Sequence, residues 1–141
     1  MFPSNVNFAE TFTAKASELK VIRAAVKEFL QSASIAEDEI SDIILATDEA
    51  CQNIIRHAYK ESDDGTIDIN VQVSNNEIVV ILFDYAEPVD PNCCEPKQCN
   101  TLSPGGLGNL FINKVMDSTG YQCPPLGVGN KLVMKKMITK E

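Results

Sequence analysis

Arginine is scarce in this chain: only Arg23 and Arg56 occur in 141 residues, and twelve Lys and Arg against twenty Asp and Glu give a formal net charge of −8. Phosphate backbones are held by clustered cations, so this deficit argues against nucleic acid as the main partner. A single nucleotide, which needs only a local site, stays compatible. No apolar run approaches the roughly 20 residues of a membrane span, and no charged-then-apolar leader opens the chain. The expectation is a soluble cytoplasmic protein with no membrane contact. Its length suits one two-layer core and is too short for a second, which predicts one domain over residues 1–141.

Even-numbered, regularly spaced cysteines are also missing. Cys51, Cys93, Cys94, Cys99 and Cys123 form an odd set, which points to free thiols in a reducing compartment rather than a disulfide framework. Cys93, Cys94 and Cys99 cluster, but there is no Cys-x-x-Cys pair and the only histidine, His57, is distant in sequence. Structural zinc is therefore disfavoured.

Without repeats or low-complexity tracts, glycine, proline and asparagine punctuate the chain. Val6, Phe8 and Phe12 suggest a first strand. Leu19, Ile22, Val26, Phe29 and Leu30 recur at three and four, predicting a helix from Ala16 to about Ser32. A longer helix is predicted from near Ala36 to about Tyr59, with Glu37, Asp38 and Glu39 in the first turn, where the dipole favours them. The alternation of Ile67, Ile69, Val71 and Val73 and the apolar run Ile78 to Phe83, with Asn75-Asn76 between them, read as a hairpin. Pro88, Pro91, Pro96 and Pro104 make regular structure improbable through Ser103, and a loop of that length inside a compact domain is more often a lid than filler. Leu110, Phe111, Val115 and Met116 predict a third helix ending near Gly120. Strands around Tyr121 and from Lys131 to Ile138 complete the order β-α-α-β-β-loop-α-β-β. The expected class is α+β, a two-layer sandwich with helices on one face of a mixed, mostly antiparallel sheet.

Three places hold chemistry. On the long helix, Ile40, Ile43, Ile44, Thr47, Cys51, Ile54 and Ala58 form the stripe expected to be buried. Glu49 and Asn53, four apart, project together away from it. They are either a solvated polar face or, flanked by Leu45, Ala46 and Ala50, a partly enclosed pair in which the amide ligates a hard cation and the carboxylate takes a proton. Asp84 ends an apolar strand, as a turn former or as an acceptor for an amino group. Ser103-Pro104-Gly105-Gly106-Leu107-Gly108 precedes a helical pattern, as a hinge or as an anion site of backbone N–H groups at a helix N-terminus. It lacks the Gly-Lys-Ser/Thr ending of a Walker loop. His57 on the helix has the chemistry of a base or ligand, but a lone histidine near a helix end is more often a capping or packing residue.

Four separated segments, in order, resemble a known family. The run Leu45 to Tyr59, containing Glu49-Ala50-Cys51-Gln52-Asn53, resembles the N-box of the GHKL ATPase and kinase superfamily, and more closely its branch of bacterial anti-sigma factor serine kinases. Asp84-Tyr85-Ala86-Glu87-Pro88-Val89-Asp90-Pro91 is similar to that branch's next box, and Gly105 to Ile112 to its glycine box. Gly129 to Lys136 looks like its final strand.

The resemblance covers essentially the whole chain. It implies a Bergerat-type fold binding ATP and Mg²⁺, with a lid at about 86–104. Carried over, Glu49 is the general base, Asn53 the Mg²⁺ ligand and Asp84 the acceptor for the adenine amino group. Ala86, Pro88, Gly105, Gly106, Leu107, Gly108 and Lys131 complete the ATP site. The implied partners are a sigma factor and a STAS-type antagonist phosphorylated on serine, with a homodimer left open. Two features differ from the family's pattern. Ala86 stands where a glycine is usual, acceptable at negative φ and costly at positive φ, and the lid has no arginine and one lysine, Lys97. The expected function is thus a serine kinase that sequesters a sigma factor, with a nucleotide-dependent binder lacking turnover as the alternative.

Overall fold

The computed structural model describes residues 6–58, 65–86, 112 and 114–138. Among these residues five strands form one sheet: β1 (Val6–Thr13), β2 (Thr66–Val73), β3 (Glu77–Asp84), β4 (Ser118–Gln122) and β5 (Asn130–Met137), in the order β1-β2-β3-β5-β4. Helices α1 (Leu19–Ser32) and α2 (Glu37–Asn53) cover one face. Strand periodicity explains the layering, because Ile67, Ile69, Val71 and Val73 on β2 and Ile78, Val80, Leu82 and Asp84 on β3 are all buried and share that face through the register. Ile22, Val26 and Leu30 of α1 and Ile40, Ile43, Ala46, Thr47, Ala50 and Cys51 of α2 complete the core. Deleting a fully buried chain such as Ile43 would cost about 2–5 kcal/mol.

The helix boundaries have local causes. The first begins as a 3-10 turn at Ala16–Glu18 and passes into α1. Its end is closed by Ile35 N–H donating to the Leu30 carbonyl and Ser34 N–H to that of Gln31, with Ser34 at a φ of 64° in the role glycine usually takes. The second helix has no side-chain cap, only the acidic first turn, and past Asn53 it widens into a π-helical turn over Ile54–Ala58.

Two expectations are corrected. The sheet is antiparallel at every described pairing rather than mixed: β3 and β4 point the same way, but β5 lies between them and pairs with both. The third helix does not reach Gly120. Ile112, Lys114 and Val115 are helical, but Asp117 N–H already donates to the Lys135 carbonyl and Ser118 opens β4, so pairing with β5 overrides the apolar spacing. Lys136 secures this junction, its Nζ 3.0 Å from the Val115 carbonyl and 3.4 Å from Asp42 of α2. Among the described residues no helix is long and apolar enough to cross a membrane. The proposed lid beyond Ala86, with Cys93, Cys94 and Cys99, lies outside the described residues.

Candidate functional site

Asp84 is the last residue of β3, and strand alternation turns it toward the helices, where it is only 3% exposed. A carboxylate so placed needs hydrogen bonds. Oδ1 accepts from Ala86 N–H at 3.1 Å and from Asn130 Nδ2 at 2.9 Å. Asn130 opens β5 directly opposite Asp84 and is itself buried. Burial pushes the Asp84 carboxyl above its ordinary value, and the bonds from Asn130 and Ala86 pull it back down. The result is a shielded acceptor held by two donors, suited to reading an amino group of a planar ligand.

The neighbouring backbone is equally constrained. Gly129 N–H donates to the Asp84 carbonyl at 2.8 Å, and a Cβ on Gly129 would come within 1.9 Å of the Ala86 oxygen, so only glycine allows this approach. Ser34 is the only non-glycine residue at positive φ among those described, so Ala86 carries its methyl without the strain its place in the motif raised.

Helix α2 covers the sheet face that Asp84 joins. On this helix Glu49 and Asn53 are half-buried, and Ala46 and Ala50 beside them are fully buried while Leu45 is exposed. The buried face of α2 is therefore wider than the apolar stripe alone. Thr47, at 2% exposure, has no partner for its hydroxyl among the described residues. Asp48, beside Glu49, accepts from Arg23 at 2.8 Å and from Gln52 at 2.7 Å, which joins α2 to α1. Burial, and secondarily the charge of Asp48, push the Cys51 thiol far up, so it is an inert core group.

Lys131 does not join this constellation. Asn130 faces the helices, so its neighbour faces the opposite side of the sheet, where Lys131 Nζ sits 6.0 Å from the centre of the Phe83 ring. A shallow hollow of about 290 Å³ on that outer side, lined by Thr11, Asp68 and Phe83 among others, contains none of the expected site residues that are among the described ones. Pro88, Gly105, Gly106, Leu107 and Gly108, and the His57 side chain, lie outside the described residues. No cluster of three or more His, Cys, Asp or Glu able to hold a metal occurs among the described residues.

Reading the sequence alone missed Asn130 and Gly129 as site residues. Their signal was a Gly-Asn step opening an alternating strand, which gains meaning only once β5 is known to lie against β3.

The chain is 30% identical to the serine-protein kinase RsbW of Staphylococcus aureus over 138 residues, 91% of this chain and 84% of that protein. It is 29% identical to the anti-sigma F factor of Clostridium botulinum strain Eklund 17B over 121 residues, 83% of each. In structure it is similar to a chain of the SiaB-SiaC complex from Pseudomonas aeruginosa, with TM-score 0.63, 16% identity and coverage of 93% and 89%. It is also similar to a Mycobacterium tuberculosis chain holding RsbU and RsbW domains, with TM-score 0.65, 15% identity and coverage of 94% of this chain and 32% of that one. At such identities these likenesses speak for the fold alone. A family model described as a histidine kinase-like ATPase domain matches residues 12–136. That match runs from Phe12 on β1 to Lys136 on β5, through α2, β3 and the Asp84–Asn130 pair, and so this chain belongs to the histidine kinase-like ATPase domain family.

Proposed function

We propose that the chain binds ATP between α2 and the sheet and transfers its terminal phosphate to a serine of a STAS-type antagonist protein, acting in the cytoplasm and sequestering a sigma factor. The observation that carries this reading is Asp84: a buried carboxylate, hydrogen-bonded by Asn130 and Ala86, on the sheet face covered by α2, the helix that bears Glu49 and Asn53, in a chain with RsbW and anti-sigma F relatives.

Each residue has a task. Asp84 accepts a hydrogen bond from the adenine amino group, which guanine cannot offer at that position. Glu49 takes the proton of the serine hydroxyl as its oxygen bonds to the γ-phosphorus, and the bond to the bridging oxygen breaks to release ADP. Magnesium, when bound with the nucleotide, supplies positive charge at the phosphates, and the Asn53 amide oxygen suits it as a hard ligand. Gly105, Gly106, Leu107 and Gly108 offer backbone N–H groups to the phosphates. Ala86 and Pro88 begin a lid over about 86–104. Lys131 is given no part, since it lies on the other face.

A second reading, nucleotide-dependent protein binding without turnover, draws on the absence of arginine between residues 86 and 104. The deciding experiment pairs ATP calorimetry with transfer of labelled γ-phosphate to purified STAS-type antagonists from the same cell. Binding with transfer supports the kinase. Binding without transfer selects the second reading, and no binding overturns both.

A further inference from the structure

Asp84 is fixed from the β5 side by Gly129 N–H and Asn130, but the backbone ladder between β2 and β3 ends with the Ile67–Asp84 pair. The chain leaves the sheet one residue later. Tyr85 follows Asp84 and its side chain reaches the outer face, where its hydroxyl donates to Asp68 Oδ2. Asp68 is opposite Phe83 in the register, so this bond crosses diagonally and extends the β2–β3 pairing beyond its last backbone rung. Asp68 is itself oriented from β1, because the directly opposed Thr11 hydroxyl donates to its Oδ1 at 2.6 Å. Two strands, β1 and β2, and the residue that follows β3 thus contribute to one line of hydrogen bonds on the face away from the helices.

We propose that Tyr85, anchored through Asp68 and Thr11, is a positioning residue that sets the carboxylate of Asp84 for recognition of the adenine base. The inference rests on the reading of Asp84 as the adenine acceptor. The physical reason is that Asp84 and Tyr85 share a peptide unit. With Tyr85 held on the outer face, the Asn130 side chain on the helix face and Gly129 N–H on the Asp84 carbonyl from the β5 side, rotation of the backbone at the strand end is restricted, and the Asp84 side chain keeps one direction before any ligand arrives. Tyr85 is 46% exposed, so this hydroxyl bond is not needed to fill the core. Its effect should therefore appear in base selection rather than in folding.

The test uses the full chain and calorimetry with ATP and GTP. Tyr85→Phe removes only the hydroxyl and should weaken ATP binding about fivefold, leave GTP binding unchanged, and move the thermal midpoint by less than about 2 °C. Asp68→Ala should give a similar loss, and the double variant should be no worse than either alone, because both cut the same link. Thr11→Val, at the outermost link, should give a smaller loss of the same kind. ATP binding by Tyr85→Phe at the wild-type level, while Asp84→Asn weakens it, overturns the inference and leaves the adenine site standing. Additive losses, or a lowered thermal midpoint with an unchanged ATP-to-GTP ratio, overturn it in favour of a purely structural tie. An Asp84→Asn variant that binds ATP normally overturns the adenine site and the inference with it.

Discussion

Asp84 and Asn130 are paired twice over: they oppose each other on the rung joining β3 and β5, and their side chains meet at 2.9 Å. The pair makes a carboxylate tolerable in a place that would otherwise reject it. It also determines how the site responds to pH.

Burial raises the Asp84 carboxyl above its ordinary value of 3.8, so the folded chain keeps this proton to higher pH than the unfolded chain does. Between 3.8 and the raised value the folded state binds more protons, and this group's contribution to stability falls as pH rises through that window. In the absence of ligand, Asp84→Asn should raise the thermal midpoint at pH 7 and lose that advantage below the window. The same variant should bind ATP about tenfold more weakly at pH 7. Calorimetry at several pH values should show wild-type affinity declining on acidification relative to the variant, which shares ATP's own titration. Parallel curves would remove Asp84 from the site.

Glu49→Gln should keep ATP affinity within about twofold and lower phosphate transfer by about 100-fold or more, the usual scale for removing a general base. Single-turnover transfer of labelled phosphate checks this. Turnover near the wild-type rate would mean that another group takes the proton.

Gly129→Ala places a methyl carbon 1.9 Å from the Ala86 oxygen, and both groups belong to constrained backbone. The variant should lose about 1–3 kcal/mol of stability and bind ATP more weakly, since both Gly129 N–H and Ala86 N–H hydrogen-bond to Asp84. Denaturant titration measures the first effect and calorimetry the second.

Ser34→Gly should have the opposite sign. Ser34 holds a φ of 64° at the end of α1, where a side chain costs about 1 kcal/mol, and glycine removes that cost. A thermal midpoint higher by a few degrees with unchanged ATP affinity is expected.

Thr47→Val retains the shape of a buried side chain and deletes a hydroxyl that has no partner among the described residues. The free protein should gain about 1 kcal/mol. If ATP affinity falls at the same time, the hydroxyl contacts the nucleotide.

The helices and the β2–β3 hairpin were legible because periodicity reports burial directly. Leu19 to Leu30 repeats at helical spacing, and Ile67 to Val73 alternates. Glu49 and Asn53 could be seen as a pair for the same reason. What escaped depends on neighbours distant in sequence. Asn130 acquires its meaning from a residue 46 positions earlier, and Tyr85 from one 17 positions earlier. Lys131 was misplaced because its charge suggested phosphate, whereas the register puts it on the reverse face from Asn130. The overlong third helix has the same origin: Val115 and Met116 continue a helical pattern, but Asp117 finds a stronger partner in β5.

The strand order has a consequence for how the molecule is made. Because β5 lies between β3 and β4, a nascent chain that has emerged only through Gln122 carries two sheet fragments with a gap between them, and no asparagine opposite its acidic strand end. Closure must await β5, which returns from β4 in a short hairpin and pairs with β3 across a long sequence separation, the kind of contact that slows folding. Until then Asp84 lacks its Asn130 and Gly129 partners, so, on the proposed reading of Asp84 as the adenine acceptor, ribosome-bound intermediates should be unable to retain ATP.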